Sequence, residues 1–111
     1  MTLHWYTVHS KPNQELLLWN QLQLREVESY YPRLRRKPVN PRARREVPYF
    51  PGYMFIRVDL ESFPLAKIAW LPGMQRLVAF GGQPAWLQDE VLEAVRRQVE
   101  TANACAQDPL A

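Results

Sequence analysis

Metal binding or nucleophilic catalysis in this sequence would have to draw on His4, His9, Cys105 and scattered carboxylates, and their spacing does not support it. His4 and His9 lie on one predicted strand and supply at most two ligands, with no cysteine or carboxylate pair beside them to complete a metal site. The lone Cys105 can neither close an internal disulfide nor build a cysteine cluster for zinc. There is no Walker loop, no dinucleotide glycine fingerprint and no nucleophile elbow, and Gly81-Gly82 reads as a turn. Asp89 and Glu90 read as helix-start acids rather than catalytic ones. The expectation is a protein without catalytic residues, metal or cofactor.

Binding chemistry is better supplied. Arg33, Arg35, Arg36, Lys37, Arg42, Arg44 and Arg45 are half of the fourteen basic residues, and the only acid adjoining them is Glu46. Net charge is only +3, so the positive charge is local. Such a cluster can neutralise phosphates without reading sequence, although a charged, proline-rich loop is often simply solvated. What raises the functional reading is position, because the loop runs into Tyr49-Phe50-Pro51-Gly52-Tyr53-Met54-Phe55. On a strand, Tyr53, Phe55 and Arg57 would share one face and Met54, Ile56 and Val58 the other. The aliphatic row suits a core. The aromatic row suits a surface covered by another macromolecule, against the plain alternative of core packing.

The elements that must position these groups can be read in outline. Residues 3 to 10 predict a strand, ended by Lys11-Pro12-Asn13, with Asn13 able to cap the next element. Gln14 to about Glu28 predicts a helix on Leu18 and Leu22, and its further leucines and Trp19 imply that more than one face is covered. Glu28 to Arg36 predicts a short strand bent or placed at an edge by Pro32, and 37–48 an exposed loop. A strand follows over 52–59, a helix over 61–71 with Pro64 in its first turn, a strand over 75–80, a loop at 83–86, and a helix from about Gln88 to Thr101. On that last helix Val91, Leu92, Val95 and Val99 supply the apolar stripe, and its orientation is ambiguous: Val91, Ala94 and Val95 could face the sheet while Leu92 and Val99 look outward toward a partner. Ala102 to Ala111 reads as an unstructured start of a linker. Strand, helix, strand, strand, helix, strand, helix predicts an α+β fold: a split βαβ arrangement with helices on a four-stranded antiparallel sheet, in one domain over 1–101.

The 111-residue length suits one core. No apolar run reaches membrane-spanning length, and the N-terminus lacks the features of a secretory signal. With the single cysteine, this points to the cytoplasm.

Trp5-Tyr6-Thr7-Val8, the helix after Lys11-Pro12-Asn13-Gln14, Tyr49 to Phe55, Pro72-Gly73-Met74 and Val78-Ala79-Phe80-Gly81-Gly82, in that order, closely resemble the N-terminal domain of NusG-type transcription elongation factors over about residues 4 to 100. The short loop between the second and third strands resembles the specialised RfaH-like paralogues. The resemblance implies a monomeric elongation or antitermination domain that docks on the clamp helices of the largest RNA polymerase subunit, reaches toward the gate loop and suppresses pausing. It implies a polymerase-binding patch of His9, Phe50, Pro51, Phe55, Leu92 and Val95. Nearby non-template DNA would be met non-specifically by Lys11, Gln14, Arg35, Arg36, Lys37, Arg42, Arg44 and Arg45. Pro64-Leu65-Ala66-Lys67 stands where the paralogue has a histidine-threonine run, and Leu17 where it has an arginine. The KOW barrel that follows this domain in the family is not in this chain. The other reading of the same residues is a free-standing RNA- or single-strand-binding module, with Tyr53 and Phe55 as stacking platforms.

Overall fold

Alternating side chains on two central strands build this α+β domain. The computed structural model describes residues 3–35 and 46–106. Strand β1 (His4–Ser10) and strand β5 (Tyr53–Val58) pair antiparallel, from His4 opposite Val58 to His9 opposite Tyr53. Tyr6 and Val8 of β1 join Met54, Ile56 and Val58 of β5 on one face, and Trp5 and Phe55 lie on the other. Both faces are therefore apolar, and each recruits one helix.

Helix α1 (Glu15–Leu24) covers the first face with Leu18 and Leu22, both fully buried. Each burial contributes about 2 kcal/mol. Only this face is covered: Leu16, Leu17 and Leu24 are exposed, contrary to the expectation from the leucine content. The helix also starts and stops differently from the expected span. Gln14, not Asn13, is the N-terminal cap residue, and Asn13 takes a left-handed φ of 60°. At the other end Glu26 has φ 57°, with Glu26 N–H donating to the Gln23 carbonyl and Val27 N–H to the Leu22 carbonyl. That is the paired hydrogen-bond pattern of a Schellman stop, so the helix ends before Glu28.

Pro32 splits the next segment. Strand β2 (Glu28–Tyr30) pairs with β5, whereas β3 (Arg33–Arg35) leaves the main sheet and forms a separate hairpin with β4 (Glu46–Pro48). The helix expected over 61–71 is absent. Asp59 instead organises turns: its carboxylate accepts Glu61 N–H at 3.0 Å and the Ser62 hydroxyl at 3.2 Å, and a single 3-10 turn spans Leu65–Lys67. With Pro64 and Pro72 so close, turns suffice to bury Ile68 and Leu71 against α1.

Strand β6 (Met74–Leu77) follows β1, and the chain then leaves it for a hairpin, β7 (Ala79–Phe80) and β8 (Gln83–Pro84), before β9 (Trp86–Leu87) rejoins β1 further along. Gly81 (φ 59°) and Gly82 (φ 78°) supply the two positive angles that such a tight hairpin turn needs. The expected strand over 75–80 is thus two strands, and the expected loop at 83–86 is partly strand. Among the described residues the main sheet has five strands rather than four, in the order β2-β5-β1-β6 with β9 also on β1.

Helix α2 (Asp89–Ala106) crosses the second face. It buries Leu92 and Val99, half-buries Val95 against the same cluster and exposes Val91, so Leu92 and Val99 face the sheet rather than a partner. The reason is Trp5, which stands from β1 as the apolar partner that Leu92 meets. Ala102 to Ala106 continue the helix rather than fraying into a linker. Residues 107–111 lie outside the described residues. No described helix is long and apolar enough to cross a membrane.

Candidate docking surface

The second sheet face is only partly covered. Beneath α2, Trp5, Phe55 and Leu92 form a buried cluster, and Tyr30, Phe50, Leu87 and Val95 pack around it half-exposed. Beyond the helix the face ends in His9 and Tyr53, whose rings stack at 4.7 Å and 17°.

One turn sets the surface. Tyr53 N–H donates to the Phe50 carbonyl at 3.0 Å, closing Phe50-Pro51-Gly52-Tyr53, and Gly52 has φ +87°. Proline second and a positive-φ glycine third is the type II pattern. Ser10 N–H donates to the Gly52 carbonyl at 2.8 Å, which pins the turn to β1. A Cβ at position 52 would stand 3.2 Å from the His9 ring, so glycine also makes room for the stack. The Phe50 ring meets Phe55 edge-on at 6.5 Å and Tyr49 edge-on at 4.7 Å. Pro51 is exposed.

Of the six residues expected in the patch, His9, Phe50, Pro51 and Val95 reach solvent. Phe55 and Leu92 do not: they are 7% and 1% exposed and support the patch from beneath. This corrects the outward placing of Leu92, and it removes Phe55 as a base-stacking platform, because α2 covers it. Tyr53, 36% exposed, flanks the patch through His9.

The expected nucleic-acid residues fall into two places. Lys11 and Gln14 lie on the β1–α1 turn, where Lys11 N–H donates to the Gly73 carbonyl at 2.8 Å and Gln14 N–H to the Lys11 carbonyl at 3.1 Å. Arg35 is exposed at the end of β3, and its backbone N–H donates to Asn103 Oδ1. Arg36, Lys37, Arg42, Arg44 and Arg45 lie outside the described residues. His4 stacks on Trp86 at 4.0 Å, and among the described residues no group of three metal-ligating side chains converges.

Sequence reading missed Arg96. It follows Leu92 by one helical turn, on the face that buries Leu92 and Val99, and its guanidinium lies 5.5 Å from the Trp5 ring and 4.9 Å from the Tyr30 ring. An arginine inside an apolar stripe was the signal that could have found it. The Tyr30 phenol is raised above the ordinary tyrosine value, chiefly by burial; Arg96 pulls it back and Glu100 pushes it further up.

Comparison with solved structures finds this fold in NusG of Thermotoga maritima, in a structure described as "Domain interaction in Thermotoga maritima NusG". Its TM-score is 0.64 at 21% identity, covering 91% of this chain. The chain spans 59% of that protein's chain. A search of curated proteins finds no match. Residues 3–96 match the family model described as "Transcription termination factor nusG". That family consists of transcription factors, not enzymes, and over this length of match the chain belongs to the NusG family.

Proposed function

We propose that this domain is a transcription elongation and antitermination module that docks on the clamp helices of the largest RNA polymerase subunit, bridges toward the gate loop and suppresses pausing. The observation that carries the reading is the rigid Phe50-Pro51-Gly52 turn, which presents an aromatic ring and a proline beside the His9–Tyr53 stack. Docking surfaces of this kind gain affinity from apolar groups that are ordered before binding, because little entropy is lost on contact. His9, Phe50, Pro51 and Val95 make the contact, and Phe55 and Leu92 hold them in place. Lys11, Gln14 and the arginines of the β3–β4 hairpin meet neighbouring DNA without reading its sequence. The short connection between β3 and β4 would place the protein nearer the specialised RfaH-like members than the general factors.

The test is binding to isolated clamp helices. Phe50→Ala should weaken docking roughly thirtyfold, the loss of about 2 kcal/mol typical of an aromatic anchor. Unchanged affinity for Phe50→Ala and His9→Ala, with both variants folded, removes the docking claim. Strong RNA binding by the domain alone together with absent polymerase binding would favour the single-strand module instead.

A further inference from the structure

Two arginines stand on the apolar second face, and only one of them has a counter-charge. Arg57, opposite Trp5 in the β1–β5 register, meets the Glu28 carboxylate at 3.6 Å. Arg96 of α2 is half-buried, and its guanidinium lies against the Trp5 and Tyr30 rings. Its Nε is buried and finds no acceptor among the described residues. Glu93 and Glu100, about one turn to either side, are exposed, and among the described residues no ion pair joins either of them to Arg96.

Arg96 is continuous with the docking patch. Tyr30 stacks on Phe55 at 6.4 Å and 20°, and Phe50 meets Phe55 edge-on at 6.5 Å, so a row of rings runs from Phe50 to Arg96. Val95, a patch residue, immediately precedes it on the helix. An interface of ordinary size, about 800 Å² on each partner, that covers Phe50 and Val95 also covers Arg96. There the face opens into a cavity of about 280 Å³, walled in part by Tyr30, Val99 and Glu100, with room for one acidic side chain.

We propose that Arg96 is the polar anchor of the docking patch and pairs with a carboxylate on the docked polymerase helices, so that the surface fits an apolar helix face carrying one Glu or Asp. The inference rests on the docking reading above and adds the chemistry of the partner. A guanidinium held against two rings has given up rotamer freedom before contact, and its fork takes both oxygens of a carboxylate. A partner that covered Arg96 without supplying an acceptor would bury a bare charge, which costs affinity. The same cost selects among partners, because a purely apolar helix is penalised.

The experiment measures affinity of the intact protein for core RNA polymerase, with melting curves for each variant and Phe50→Ala in the same series. Arg96→Gln should weaken docking roughly thirtyfold, and Arg96→Lys, which keeps the charge and loses the fork, should recover only part of that. Each acidic residue of the clamp helices is also neutralised in turn against the unaltered protein, a measurement that does not depend on how Arg96 variants fold. One of these changes should cost as much as Arg96→Gln, and combining the two should cost no more than either alone. Wild-type affinity in folded Arg96→Gln overturns the inference, as does a clamp-helix series in which no neutralised acid weakens docking. So do losses that multiply in every combination, since Arg96 would then act only through the fold. A folded Arg96→Gln that loses affinity for a DNA single strand while keeping polymerase affinity also overturns it, because the ligand would be phosphate. If Phe50→Ala weakens docking and Arg96→Gln does not, the docking reading stands without this inference, whereas absence of wild-type binding removes both.

Discussion

Phe50 and Phe55 are five residues apart in one aromatic run, yet the structure gives them different fates. Phe55 is core, so Phe55→Ala should cost about 3–5 kcal/mol in chemical denaturation and lose docking only through loss of the fold. Phe50 is half-exposed and touches that core by its edge, so Phe50→Ala should leave the melting temperature within a few degrees while cutting docking. The pair separates a supporting role from a contact role in one assay. Gly52 tests the turn itself. A side chain there must accept φ +87° and push on the His9 ring, and Gly52→Ala should cost about 1–3 kcal/mol, read by urea denaturation. Glu26 is the converse case. It occupies the left-handed position that ends α1, where glycine is the unstrained residue, so Glu26→Gly should raise stability by about 0.5 kcal/mol.

Helix α2 shows how a periodic pattern can be right in existence and silent on orientation. Val91-Leu92 and Val95 permit two apolar stripes a single step apart, and the sequence alone does not choose between them. The choice is made by Trp5, eighty-seven positions upstream of Leu92 and on a strand whose alternation sends it to that face. Leu92→Ala should therefore cost about 2–5 kcal/mol and Val91→Ala under 0.5, measured on the same denaturation curves. The central strands and α1 were legible because proline, glycine and leucine periodicity punctuate them locally. The segment 61–71 was not, because Ile68 and Leu71 mimic a helical spacing that two prolines and the Asp59 turns convert into an anchor without a helix. The link between Asn103 and the β3 backbone is a contact between residues about seventy positions apart, and nothing local announces it. The apolar run through Phe50 and Pro51 was readable as a surface, but its division into contact and support needed the helix in place.

At the scale of the molecule, β1 ties the two cores together, because neighbouring residues Trp5 and Tyr6 anchor opposite faces of one strand. A disturbance of either core should therefore spread to the other, and the domain should unfold in one cooperative step. Alkaline pH offers a way to load both at once. Tyr6 is raised above the ordinary tyrosine value by burial and then by Asp59, and Tyr30 by burial, partly offset by Arg96. In each case the folded protein holds the phenolic proton more tightly than the unfolded chain, for which the value is about 10. Their contribution is therefore fully present below about pH 10 and is lost as pH rises through the folded values. The urea midpoint should fall above that pH, and Tyr30→Phe, which cannot ionise, should flatten part of the fall while leaving the neutral-pH transition single. If the two layers were independent, variants whose only tryptophan is Trp5 or Trp19 would report separate transitions, because Trp5 lies in one core and Trp19 packs against the other. Coincident curves are the expected result, since the strand that carries Tyr6 also carries Trp5.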